Sequence, residues 1–267
     1  MSEITIKRRI THFVRLRSTQ RGLSATRPST LKILVPIFTG PWRDKPPGYG
    51  QLDTVAHCGS TLGGDYAFTL NYTDIATTWS EQYAQWGKGG YRTKKSIEQI
   101  QKYLPFDLLG LYPDSGSEFL NMIVIPWCKE HHVELTRSRP SHKNDNQFIE
   151  ERNCHIVRKY TGYERLDTLE SVDALNDLYR TLSLYLNHFV PIRKCIRKER
   201  IGSKYKRIYD VPKTPYQRVM EHSDISQEKK SHLRVIHQSL NLVELKQQVD
   251  EKMKALYDLK KRYSNIK

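Results

Sequence analysis

Cysteine is sparse in this chain. Its four residues, Cys58, Cys128, Cys154 and Cys195, lie far apart and never form a Cys-x-x-Cys pair. Neither a disulfide framework nor a zinc knuckle is expected from such spacing, and reduced thiols are the simplest expectation. Long apolar runs are missing too: no stretch reaches 18 residues, and the start, Met1-Ser2-Glu3-Ile4, lacks the basic-then-apolar order of a secretory signal. The expectation is a cytoplasmic protein with no membrane partner. No Gly-x-x-x-x-Gly-Lys-[Ser/Thr] loop is present, so no nucleotide cofactor is expected.

Acidic residues are nearly absent from two segments, and there the charge concentrates. The formal net charge is +15. Between Met1 and Lys32 stand Lys7, Arg8, Arg9, Arg15, Arg17, Arg21, Arg27 and Lys32 against Glu3 alone. From Arg193 to Arg207 stand Arg193, Lys194, Arg197, Lys198, Arg200, Lys204, Lys206 and Arg207 against Glu199 alone. A near-neutral middle flanked by two basic segments favours a nucleic-acid partner, because each phosphate neutralised releases condensed counterions.

What is present in the middle is a core. With 37% apolar residues in 267, the chain can build one ordinary domain with flanks. Residues 1–44 are basic and rich in turn formers, and read as an arm or linker. A catalytic-size domain is expected over 45–192, and a basic C-terminal region with a terminal helix over 193–267. Within the domain, strands are expected at Gln51–His57, Tyr66–Tyr72 and Ala76–Glu81. Helical spacing follows at Ser96, Ile97, Ile100, Tyr103 and Leu104, then a buried strand over Phe106–Leu111. Ser117–His131 has helical periodicity interrupted by Pro126, and a short strand is expected at Val133–Leu135. Phe148, Ile149, Ile156, Val157 and Tyr160 define another helix, and Leu169–Phe189 a longer one. One long polar helix is expected through Leu233, Leu240, Leu245, Val249, Met253, Leu256 and Leu259, with partial heptad character. The order of elements indicates a mixed α/β layer structure.

Three carboxylates fall where this reading brings elements together. Asp53 lies in the first strand, Asp114 just past the end of the buried strand, and Glu150 opens a helix after a polar loop. Pairing of the first and fourth strands would bring the aspartates together, with Glu150 added from the helix above them. Hard oxygen ligands of this kind suit Mg²⁺ or Mn²⁺, and two such ions can activate an attacking oxygen and stabilise a leaving one. Glu118 and Glu151 are rivals for the third position. His57 lies on the strand face of Asp53, where it would either approach the site or be buried and hydrogen-bonded. Cys128-Lys129-Glu130-His131-His132 is rich in potential ligands but has no second Cys/His pair nearby.

The spacing and the surrounding words carry more. Asp114 and Glu150 are separated by 35 residues. Asp114-Ser115-Gly116-Ser117-Glu118-Phe119 resembles the D-N-G-x-E-F segment of transposases and retroviral integrases, and Phe148-Ile149-Glu150-Glu151-Arg152-Asn153 resembles their h-E-x-x-N segment. Pro47 to Gly59, Leu70 to Thr77, Thr136 to Asn146, Gly202-Ser203-Lys204, Tyr209-Asp210 and Thr214-Pro215-Tyr216-Gln217-Arg218 extend the match. On these words the chain resembles the D,D(35)E integrase-core superfamily, and within it bacterial insertion-sequence transposases.

That resemblance implies a ribonuclease-H-like core, a mixed five-stranded sheet with helices on both faces, followed by a helical and small β-rich C-terminal region. It implies a metal-dependent transposase that cuts and joins DNA, with Asp53, Asp114 and Glu150 as catalytic metal ligands. The register with Asn153 favours Glu150 over Glu151. A pair of Mg²⁺ or Mn²⁺ ions, transposon ends and target DNA as partners, and a homo-oligomer on DNA belong to the same implication, as does association with the bacterial nucleoid. Arg137, Arg139, His142 and Lys143, in the loop before the catalytic helix, Asn153 within it, and Lys204, Lys206 and Arg207 beyond the core are the expected DNA contacts. Relatives carry helix-turn-helix modules ahead of the core, whereas about 45 pattern-poor residues precede Tyr49 here; an N-terminally shortened chain is therefore expected. A remnant that binds DNA without cutting it, and a hydrolytic nuclease, are the alternatives.

Overall fold

The computed structural model describes residues 2–6, 31–38, 40, 45–114, 116–139 and 147–264. Two compact units divide the chain, Met1–Leu34 and Val35–Lys267. Within the second, residues expected in the core and in the C-terminal region share one unit.

Its centre is a sheet of five strands: β1 (Tyr49–Ala56), β2 (Ala67–Asp74), β3 (Ser80–Trp86), β4 (Gly110–Pro113) and β5 (Glu134–Leu135), in the order β3-β2-β1-β4-β5. β1 to β3 form an antiparallel meander, and β4 and β5 run parallel to β1. Helices α1 (Gly90–Gln101) and α2 (Val124–Glu130) share a core with Leu52, Leu70, Tyr72 and Leu111. A second core forms from Ala67 and Ala84 with α3 (residues 147–161), α4 (Leu169–Phe189) and α7 (Leu242–Ser264). Helix α3 is composite: Gln147–Arg152 runs through a π-helical stretch, Asn153–Arg158, into Lys159–Thr161. A mixed sheet in this order with helix-lined cores is the ribonuclease-H-like fold that was expected. Beyond α4 come the hairpin β6 (Cys195–Ile201) and β7 (Lys204–Tyr209), then α5 (Pro215–Glu221) and α6 (Gln227–Ser239).

Several boundaries differ from expectation, each for a local reason. The third strand begins at Ser80 rather than Ala76, because the buried Asp74 carboxylate accepts from Thr77 N and Thr77 Oγ1 and closes a turn. Thr78, at φ 63°, completes it. Of Phe106–Leu111 only the end is strand, although Phe106 and Leu108 are buried. Helix α2 starts at Val124, where Asn121 Oδ1 accepts from Ile123 N and Val124 N. Pro126 then falls in the first turn, where its missing N–H leaves no helix bond unmade. The expected terminal helix is two helices, because Asn241 Oδ1 accepts from Val243 N and Glu244 N and starts α7 afresh. Val249 and Leu256 of α7 pack into the second core, so its apolar stripe is used within this chain.

Helix α4 also seals a sheet edge. β3 is an outer strand, and such strands offer unpaired backbone groups to other chains. Asn187 accepts from Ser80 N (3.0 Å) and donates to Ser80 O (2.9 Å), and Asn176 does the same with Ala84 N (2.7 Å) and Ala84 O (3.0 Å). Two side-chain amides thus stand in for a neighbouring strand. Replacing Asn176 with leucine leaves both Ala84 backbone groups without these partners. Equilibrium urea unfolding should show a loss of about 1–3 kcal/mol; unchanged stability would mean that the amide contributes nothing net.

Candidate active site

The parallel pairing of β1 with β4 aligns Leu52 with Pro113. Asp53 and Asp114 are the next residues on the two strands. Each is half-buried, and they are close enough for their charges to interact. Burial first, and the Asp114 charge second, push the Asp53 carboxyl up from its ordinary 3.8 to about 6, against the opposing bonds from Thr54 N and Asn153. Thr54 N donates to Asp53 Oδ1 (2.7 Å) and Asn153 Nδ2 to Asp53 Oδ2 (2.7 Å). Asp114 Oδ1 accepts from Gly116 N at 2.8 Å, which turns the chain directly after β4.

Helix α3 is pinned along β1 at three places. Ile149 N donates to Gln51 Oε1 (3.0 Å), Asn153 to Asp53, and Arg158 Nη2 to Ala56 O (2.7 Å). Asn153 is itself held, since its Oδ1 accepts from Asn71 Nδ2 (2.8 Å), whose Oδ1 accepts from Gln82 Nε2 (3.0 Å). A chain of amides therefore runs from β3 through β2 and α3 to the Asp53 carboxylate. Asn153, expected as a DNA contact, has both ends of its amide engaged in this chain. The π-helical stretch begins at Asn153, and such stretches are rare and concentrate at functional sites. Asn71 and Gln82 were missed by sequence reasoning. The available signal was the alternation in β2, where Thr69, Asn71 and Thr73 share one face and are buried.

Glu150 sits on the exposed first turn of α3, three residues before Asn153 and therefore on the same side of the helix. Among the described residues, no three His, Cys, Asp or Glu side chains are grouped closely enough to hold a metal ion. Asp53 and Asp114 are brought together, and Glu150 lies one helical turn from the bond that ties α3 to Asp53. The pair fits a divalent cation on electrostatic grounds, since opposite charge would relieve the repulsion that raises Asp53. Glu118 is nearer to this pair than its place in the sequence indicated: it is buried, it accepts from Thr54 Oγ1 (3.0 Å), and its charge also raises Asp53.

His57 takes the buried alternative. Its Nε2 lies 2.7 Å from Thr69 Oγ1, and burial pushes its pKa down to about 3, which keeps it neutral. The Cys128 thiol is pushed up to about 12 by burial, and His131 Nδ1 lies 2.9 Å from Trp127 O with its ring stacked on Trp127. Those contacts explain both residues without a metal. Arg137 Nε donates to Val35 O (3.0 Å), and Arg139 is exposed. His142 and Lys143, like Ser115, lie outside the described residues. In the β6–β7 hairpin, Lys206 stands opposite Glu199 and Arg207 opposite Lys198, while Lys204 stands opposite Ile201 at the turn. Arg207 and Lys206 therefore occupy opposite faces of the ribbon, and Glu199, which also pairs with Arg197 at 2.7 Å, lies on the face of Lys206.

No family model matches the chain. It is 38% identical over 191 residues to the uncharacterized protein y4rM of Sinorhizobium fredii (strain NGR234), covering 71% of this chain and 55% of that protein. The chain thus spans about half the length of the curated relative it matches. Among solved structures, the HTLV-2 integrase catalytic core domain in complex with magnesium aligns with a TM-score of 0.43 and 16% identity, covering 56% of this chain and 93% of that one. A simian T-cell lymphotropic virus intasome in complex with the PP2A regulatory subunit B56 gamma aligns with a TM-score of 0.44 and 13% identity, covering 58% and 53%. Among the described residues, no helix is long and apolar enough to cross a membrane.

The raised carboxyl has a measurable consequence. A folded-state pKa of about 6 against an ordinary 3.8 means that Asp53 takes up a proton on folding, so its contribution is complete below the lower value and is lost as pH rises through about 6. Asp114→Asn removes the neighbouring charge. The Asp53 carboxyl resonance, followed by ¹³C NMR, should then titrate at lower pH than in the parent protein; an unmoved or higher midpoint contradicts the coupling.

Proposed function

We propose that this chain is the catalytic part of a DNA transposase of the bacterial insertion-sequence type, cutting and joining DNA by metal-dependent phosphoryl transfer. The observation that carries the reading is the Asp53–Asp114 pair on adjacent parallel strands, with the helix of Glu150 bonded to Asp53 through Asn153. The words around Asp114 and Glu150, with 35 residues between them, agree with it.

In this reading Asp53, Asp114 and Glu150 hold Mg²⁺ or Mn²⁺, two ions in all. Bound there, the ions supply the positive charge that activates the attacking oxygen and stabilises the leaving one. Asn153 and Thr54 N orient the Asp53 carboxylate, and Gly116 N orients that of Asp114. Glu150, in the first turn of α3, would complete the set of ligands. Water attacks the phosphorus at a transposon end and a 3′-hydroxyl leaves; that 3′-oxygen then attacks a target phosphodiester, whose own 3′-oxygen departs. One phosphodiester replaces another in the second step, so no nucleotide cofactor is required. Arg137, Arg139, His142, Lys143, Lys204 and Arg207 meet backbone phosphates and position the duplex without reading its sequence. A second copy on the paired ends, and a cytoplasmic, nucleoid-associated location, complete the proposal.

The test uses labelled duplexes carrying the DNA that flanks the coding sequence, with Mn²⁺. Asp53→Asn, Asp114→Asn and Glu150→Gln should each lower strand cleavage a hundredfold or more, about 2.7 kcal/mol in barrier, with the circular dichroism of the folded protein retained. Full activity in any of the three removes that residue from the site. Cleavage without joining of a pre-cut 3′-hydroxyl end would favour a hydrolytic nuclease, and DNA binding without cleavage an inert remnant.

The ribbon register makes a separate prediction. Arg207→Ala should weaken duplex binding more than Lys206→Ala, and should reduce the salt dependence by a slope of about 1, as expected for one lost phosphate contact. Equal effects of the two substitutions would remove the distinction between the faces.

A further inference from the structure

Glu118, whose charge acts on Asp53, has an ammonium partner. Lys88 Nζ lies 2.6 Å from Glu118 Oε1, with the Glu118 side chain 3% exposed and that of Lys88 43% exposed. Glu118 Oε1 also accepts from Thr54 Oγ1, next in sequence to Asp53. Gly116 lies against both Glu118 and Asp114: a Cβ added there would lie 2.5 Å from Glu118 Oε2 and 2.8 Å from Asp114 Oδ1. Glycine at 116 is what lets the chain pass so close to both carboxylates. The charge of Glu118 reaches Asp53 as well. Three acids thus share a partly buried region, with Lys88 salt-bridged to one of them.

Lys88 is suited to leaving. Its ammonium sits on a flexible stem, with glycines at 87, 89 and 90 on either side of it, in the connection between β3 and α1. Lys88 is 43% exposed while Glu118 is 3% exposed, so the ammonium leaves when another cation takes its place near the buried carboxylate. A divalent cation held by the Asp53–Asp114 pair brings two positive charges near Glu118 and weakens the attraction that holds Lys88. The freed ammonium, on a half-exposed side chain, is then able to pair with a negatively charged ligand, which on the reading above is a nucleic-acid phosphate.

Resting on the reading above, we propose that Lys88 is the resident counter-ion of this site: it is paired with Glu118 until a divalent cation replaces it, and it then contacts a phosphate oxygen of the DNA. Lys88 is on this view a substrate-binding residue, and Glu118 the positioning residue that stores it.

The experiment measures Mn²⁺ binding to the full chain without DNA, by electron paramagnetic resonance, and duplex binding in EDTA and in Ca²⁺. Lys88→Met removes a competing cation, so Mn²⁺ should bind about threefold more tightly or better. The gain in duplex affinity that Ca²⁺ brings to the parent protein should shrink in this variant. Glu118→Gln frees Lys88 without removing it, so duplex binding in EDTA should rise towards the Ca²⁺ value. Unchanged or weaker Mn²⁺ binding in Lys88→Met, or unchanged EDTA binding in Glu118→Gln, overturns the proposal. Asp114→Asn separates the two levels: if the parent and this variant bind Mn²⁺ alike, the cation site itself fails. If only the Lys88 and Glu118 results fail, the cation site stands and Lys88 has no part in it.

Discussion

The hydrogen bond from Asn153 to Asp53 is the constraint on which the arrangement of the site depends. It joins the strand that carries one acid to the helix that carries another, across 100 residues of sequence. Asn153 can make it because its carbonyl oxygen is already taken by Asn71, which fixes which end of the amide faces the carboxylate. The amide chain that continues to Gln82 has a buried route through the sheet. Buried polar groups of this kind are costly unless paired, so the bonds that run from Gln82 through Asn71 and Asn153 to Asp53 favour one arrangement over its neighbours.

The rest of the domain supports that contact from both sides. One core, with Leu52, Leu70, Tyr72 and Trp127, backs β1 and β2 against α1 and α2, and the other holds α3 and α4 against Ala67 and Ala84. Gly50 and Gly110 allow close packing of aromatic rings on the central strands, since a Cβ at either would meet Tyr72 or Tyr49 within 2.1–2.3 Å. Helix α4 supplies both the second core and the amides that occupy the outer edge of β3. Sheet growth by pairing with another chain is thereby blocked on that side, which leaves association to other surfaces.

Charge is organised at two scales. Over the whole chain, two basic segments make long-range attraction to a polyanion the dominant electrostatic feature. Near Asp53 the sign reverses, with Asp114 and Glu118 placed so that their fields overlap. Glu118 is there paired with Lys88.

Much was legible in the sequence alone. Alternation and helical spacing located most elements, and α4 was read with its observed bounds because Thr168 caps its start and its apolar stripe is uninterrupted. The words around Asp114 and Glu150 singled out these acids for a reason independent of folding, namely their spacing and neighbours. Boundaries made by single side chains were not legible: the Asp74 turn, the Asn121 start of α2 and the Asn241 break before α7 each rest on a hydrogen bond to backbone that periodicity does not reveal. The tertiary structure alone decided which residues meet. It placed Asp53 beside Asp114 through parallel pairing, bonded Asn153 to Asp53 and Asn71, neutralised His57 by burial, and paired Glu118 with Lys88. Local pattern reflects the water-exclusion of one face, and so determines elements. Contacts between elements depend on the pairing of particular polar atoms over long separations, and only the folded chain makes that choice.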